Sequence, residues 1–195
     1  MLHADRMAIV SQREVGTDTV DTAEALRRVG RQDADVIFVS DLTGDAIPEA
    51  MSVAAAGRLV IAVMNTLSVT DTIALLVDRS EQHLRAHNRS LLARVLRGII
   101  SQRLLDRADG RGRVAAVECM TATLKVREAI ATGADSSVLE RLMREGDYHG
   151  MATFDQALLQ LLSTELINFD EALERAANPE DFRIAVQQAG LATLH

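Results

Sequence analysis

Residues 33–67 read DADVIFVSDLTGDAIPEAMSVAAAGRLVIAVMNTL. Two apolar runs, Val36–Val39 and Leu59–Met64, each end in small or polar residues, and an alanine-rich segment separates them. Short apolar runs joined by a helix-length connection predict two buried parallel strands with a crossover helix. Ligands of such units sit at the carboxyl ends of the strands. Those ends carry Ser40, Asp41, Thr43 and Gly44 after the first run, and Asn65 and Thr66 after the second.

On either side of this unit the pattern is mainly helical. Met7–Val10 predicts an edge strand, and Ser11–Thr19 a loop. Asp21 or Thr22 is suited to cap a helix with Ala25, Leu26 and Val29 on one face. Pro48 fits the first turn of the crossover helix. Asn65 and Thr66 are suited to cap the helix that follows from Ser68. The stretch Ser80–Arg107 reads as one long helix, with Ser101, Gln102 and Arg103 on its surface. ADGRGR at 108–113 has the chemistry of a tight reversal leading into a strand to Met120. Beyond it, Leu124–Ala131, Ser136–Glu145, Thr153–Leu162 and Asp170–Ala177 read as helices. Pro179 reads as the stop of the last of these, ahead of a final segment, Glu180–Ala189.

The 195 residues suit one domain, or one domain with a small helical appendage. A net charge of −7 argues against general binding to nucleic acid or a membrane surface. Cys119 is the single cysteine, which excludes an intrachain disulfide and a multi-cysteine metal site; it reads as a small core side chain. No apolar run reaches the length of about 18 residues that a spanning helix needs, so no membrane insertion is expected. The opening residues do not resemble a secretion signal, and a soluble cytoplasmic protein is expected. His83 and His87 stand four apart, but they lie among Arg85 and Arg89 and lack an HExxH glutamate, so no metal site is expected.

Several short segments occur in a telling order: QREVGTDT at 12–19, ALRR at 25–28, DADVIFV at 33–39, AAAGRLVIAV at 54–63, GIISQRLL at 98–105, GRGRVAAVE at 110–118 and GMATFDQAL at 150–158. In this order and spacing they resemble the C-terminal half of the type IV pilus retraction ATPases. These PilT-like twitching-motility motors belong to the wider type II and type IV secretion ATPase superfamily. The resemblance implies a fold of the α/β class: a partial RecA-like (P-loop NTPase-type) parallel sheet followed by a helical C-terminal region. It places a partial ATPase core at 1–107 and a mostly helical region at 108–195. It also implies ATP and Mg²⁺ as cofactors, a hexameric ring, and pilus motor subunits as partners.

The chain departs from the family where the chemistry lies. A phosphate loop needs GxxxxGK[ST], whose glycines, lysine and hydroxyl hold the phosphates and Mg²⁺. No such stretch occurs, and Lys125 is the single lysine. The magnesium-site (Walker B) strand of the family ends in Gly-Glu, where this chain has Ser40-Asp41. Asp41 keeps the carboxylate with roughly 1–1.5 Å less reach. An Arg-Asp pair is replaced by Thr43-Gly44, and two histidines flanking the second strand by Arg58 and Asn65. Arg13 and Glu14 fall in the segment that the resemblance puts near the nucleotide and the neighbouring subunit. Arg13, Glu14, Ser40, Asp41, Arg58 and Asn65 are therefore the nucleotide or interface candidates. Asp41 is the degenerate catalytic position, and no residue is assigned as catalytic. Arg103 is the helix-surface residue suited to face a partner. Leu124–Thr132 occupies the place of a helix that supports retraction, retaining Val126, Arg127 and Ile130.

Two expectations follow. The chain is a motor-derived scaffold or regulator without ATPase activity of its own, or it is a C-terminal fragment of an ATP-hydrolysing motor. In either case a sheet lacking strands exposes apolar surface, and a homo-oligomer is expected.

Overall fold

The computed structural model describes residues 7–78 and 82–191, which fall into two compact units divided between Asn65 and Thr66. The first unit holds α1 (Thr22–Val29), β1 (Val36–Val39), α2 (Ala46–Ala55) and β2 (Leu59–Ala62). The second holds α3 (Val69–Asp78), α4 (Arg85–Val95), β3 (Gly98–Asp106), β4 (Arg113–Thr121), α5 (Leu124–Thr132), α6 (Ser136–Arg144), α7 (Phe154–Ser163), α8 (Phe169–Arg175) and α9 (Pro179–Gln188).

β1 and β2 pair in parallel, Val36 with Leu59 through Val39 with Ala62, with α2 as the crossover. Asp21 caps α1 by accepting from the Glu24 N–H at 2.7 Å. Ala23 and Leu26 of α1 and Ile47, Ala50 and Met51 of α2 are buried, and the Arg27–Glu49 ion pair at 3.1 Å ties the two helices. Met7–Val10, expected as an edge strand, is irregular; its large side chains are exposed and give a strand nothing to pack on.

In the second unit β3 and β4 form an antiparallel hairpin from Gly98–Thr121 to Asp106–Arg113. The long helix expected over 80–107 is therefore corrected. Within the described part of that stretch the helix stops at Val95. Leu96 turns extended (φ −59, ψ 135), and GIISQRLL becomes strand. Every second residue of β3, Ile99 to Leu105, turns inward, a period of two that the neighbouring strand enforces. The hairpin also spans position 107/108, where the sequence places a domain boundary; its strands pair along their whole length on both sides of that point.

The inner face of the hairpin, through Leu105 and Ala116, packs with Phe154, Leu158, Leu162 and Phe182 of α7 and α9. Thr153 caps α7 in a reciprocal box with Gln156, as the sequence suggests. Asn168 rather than Asp170 precedes α8. Pro179 does not stop a helix but opens α9, behind an Asn178 cap. No helix among the described residues is long and apolar enough to cross a membrane.

Candidate functional site

The carboxyl ends of β1 and β2 stay joined past the regular strands. The Val63 N–H donates to the Val39 carbonyl at 2.9 Å, and the Leu42 N–H to the Val63 carbonyl at 2.8 Å. Ser40 and Asp41 therefore lie beside the chain that leads to Asn65, where the strand pattern places them. Leu42 is buried and anchors the turn. Gly44 (φ +51) then admits the left-handed backbone that starts α2.

Arg58 does not join them. Arg58 precedes β2, at the opposite end of the strands, and one of its terminal nitrogens donates to the Gln32 carbonyl at 3.0 Å. Asn65 lies seven residue steps further on, past the far end of β2, roughly 23 Å at extended-chain spacing. Arg13 and Glu14 lie exposed at a turn closed by Asp18, whose carboxylate accepts the Glu14 N–H at 2.9 Å. Arg13 makes no ion pair with Glu14 or Asp18.

Of the six candidates, the strand ends thus hold one carboxylate (Asp41), one hydroxyl (Ser40) and one amide (Asn65). ATP carries several negative charges and needs cations and backbone N–H groups around its phosphates. Ser40, Asp41 and Asn65 supply no cation and Arg58 stands at the other end of β2, so these residues by themselves do not fit Mg-ATP. Among the described residues no three His, Cys, Asp or Glu side chains come together as a metal site. His83 lies on a short 3-10 turn before α4, and His87 on α4 itself. A cavity of about 160 Å³ opens elsewhere, lined by Val77, Arg89, Ile130, Gly133 and Leu139 of the second unit.

Two arrangements in the second unit were not read from the sequence. Glu118 of β4 is 7% exposed, and its carboxylate accepts the Val69 N–H at 2.7 Å and the Phe154 N–H. It thereby receives the first N–H of both α3 and α7, where the helix dipoles favour negative charge. Burial still outweighs these bonds and raises the Glu118 pKa. Beside it Arg103, expected on a helix surface, donates twice to the Leu67 carbonyl (3.2 and 2.9 Å) and lies 4.1 Å over the Phe154 ring. Ser68 caps α3 through the Asp71 N–H, and Thr66 bonds Thr72, so the cap falls later than Asn65 and Thr66.

The second arrangement centres on Arg127 of α5. Its guanidinium donates to the carbonyls of Ala93, Arg94, Leu96 and Ala122 at 2.6–2.9 Å, closing the carboxyl end of α4. One cue to the first was an acidic residue at an inward position of the alternating RVAAVECM strand. Cys119, its outward neighbour, is only partly buried.

No protein-family model matches the chain. It is 35% identical over 93% of its length to the type IV pilus retraction ATPase PilT of Pseudomonas aeruginosa, covering 52% of that protein. It is 33% identical over 92% of its length to a twitching motility protein of Neisseria gonorrhoeae, covering 48% of it. Among solved structures, the pilus retraction motor PilT with bound ADP superposes with a TM-score of 0.80 at 34% identity, over 92% of this chain and 50% of that one. The Legionella pneumophila ATPase DotB shares the fold, with a TM-score of 0.73 at 20% identity, 92% of this chain and 46% of that one being covered. The chain spans about half the length of the curated relatives it matches. Over nearly all of its own length, then, this chain is similar in sequence and fold to about half of the type IV pilus retraction ATPase PilT.

Proposed function

We propose that this chain is a motor-derived binding module that works in the cytoplasm, does not hydrolyse ATP by itself, and associates with other subunits of a pilus motor. The observation that carries this reading is the make-up of the strand ends. Ser40, Asp41 and Asn65 supply a single carboxylate without a joined cation, and the sequence contains no GxxxxGK[ST] loop. Phosphoryl transfer depends almost wholly on positioning and charge stabilisation, and both are missing there. The proposed partners come from relatives named as pilus retraction and twitching motility proteins.

A second reading has its own support in the half-length match: the chain is a part of a longer, ATP-hydrolysing motor, and the activity belongs to the whole. Phosphate release by the purified chain, alone and mixed with a full-length retraction ATPase, tests the first reading. No release alone, together with co-elution with the full-length motor, is expected. Turnover by the chain alone overturns its inactivity, and absence of co-elution overturns the binding role.

A further inference from the structure

The cavity of about 160 Å³ in the second unit is enclosed by α3, α4, α5 and α6, between Thr70 and Leu139. Ile73, Val77, Ile130 and Leu139 form an apolar floor, each no more than 8% exposed. The rim is polar: Ser136 stands there at the start of α6, and Arg89 of α4 is half-buried along the wall. The Arg89 guanidinium lies directly against Gly133, where an added Cβ would stand 2.7 Å from Nη1 and 2.9 Å from Cζ. Gly133 closes α5 in left-handed backbone (φ +70) and presents no side chain to shield the guanidinium. Among the described residues Arg89 has no hydrogen-bond or ion-pair partner, whereas Arg127, on the facing helix α5, donates to backbone carbonyls. Asp135 makes no side-chain cap bond, so it leaves the first N–H groups of α6, beside Ser136, to other acceptors.

We propose that this cavity binds a small aliphatic carboxylate of about four or five carbons. An unpartnered cation at the edge of an apolar hollow is matched by an anion with an apolar tail. The carboxylate takes the two parallel N–H bonds of the Arg89 fork, and the alkyl chain lies on the floor of Ile73, Val77, Ile130 and Leu139. Volume sets the chain length, because a dry cavity of ~150 Å³ accepts a molecule the size of benzene, with about six non-hydrogen atoms. Inorganic phosphate would meet the cation and leave the floor empty, and a nucleotide exceeds the volume. The few contacts that so small a ligand makes, and the net charge of −7, set the dissociation constant at about 1 mM. The lining residues all fall within 70–139 of the second unit, so binding here is independent of whether the chain joins a motor.

Amide chemical-shift titration of the full chain at neutral pH tests this, with isovalerate, isovaleramide and inorganic phosphate each taken from about 0.1 to about 20 mM. Isovalerate is expected to give saturable shifts gathered at residues 70–77 and 130–139. The uncharged amide and phosphate are each expected to bind at least about 10-fold more weakly. Arg89→Gln removes the charge and is expected to weaken isovalerate at least about 10-fold, with the rest of the spectrum unchanged because no partner in the fold depends on Arg89. Ala74→Leu, at an exposed lining position of α3, narrows the cavity with Arg89 intact and is also expected to weaken binding. No saturable shift with the wild type, equal binding of the amide or of phosphate, or unchanged affinity in Arg89→Gln overturns the proposal. Shifts scattered over the surface and indifferent to both substitutions mean non-specific association only, and overturn it as well.

Discussion

Glu118 is a buried carboxylate whose pKa is raised, so its titration opposes folding as the pH climbs. Its contribution to stability is full below the unfolded carboxyl value and is lost as the pH rises through the higher folded one. Thermal melts of the wild type and Glu118→Gln across acidic to neutral pH check the sign. The wild type is expected to lose stability relative to Glu118→Gln as the pH rises; a relative gain would contradict the burial argument. Glu118→Ala strands the first N–H groups of α3 and α7 and is expected to cost about 2–4 kcal/mol in urea unfolding. Arg127 is the other residue with several elements depending on it. Arg127→Ala leaves the α4 carbonyls without their donors, and a loss of about 2–3 kcal/mol is expected. Lysine at this position recovers only part, since a single ammonium cannot span carbonyls that a planar fork reaches.

Element boundaries show which signals are local. Asp21, Thr153 and Pro48 mark helix starts by chemistry that acts within one turn, and the structure places them there. β1, α2 and β2 were legible because an unbroken apolar run and an alanine-rich connection have few other solutions. β3 was not: GIISQRLL follows a genuine helix, and its strand geometry is imposed by RVAAVECM, which pairs with it from across the turn. Gly98 belongs to that pairing, because a Cβ there would lie 2.9 Å from the Met120 carbonyl oxygen. Gly98→Ala is expected to cost about 1–3 kcal/mol by forcing the strands apart. Leu105, 1% exposed where the hairpin meets α7, is expected to cost about 2–5 kcal/mol when cut to alanine. An equilibrium unfolding series that found both variants near wild type would contradict the hairpin as the base of this core.

At the scale of the whole molecule, the candidate site was half legible. Ser40, Asp41 and Asn65 stand at strand ends because the strands were correctly read. Arg58 was grouped with them by resemblance, yet it precedes β2 and faces the Gln32 carbonyl at the other end. Glu118 has no local signal, and Arg103 reads from the sequence as a helix-surface residue, because the roles of both depend on contacts between segments dozens of residues apart. The chain shares the fold of half a retraction motor, at a TM-score of 0.80, and the candidates at its strand ends, Ser40, Asp41 and Asn65, include no cation. Calorimetric titration of Mg-ATP into the purified chain, at a concentration where its oligomeric state has been measured, tests this most directly. No saturable heat is expected. Saturable binding in the micromolar range, abolished by Asp41→Ala or Arg13→Ala, would contradict it and would place a phosphate site where the chain offers a single carboxylate.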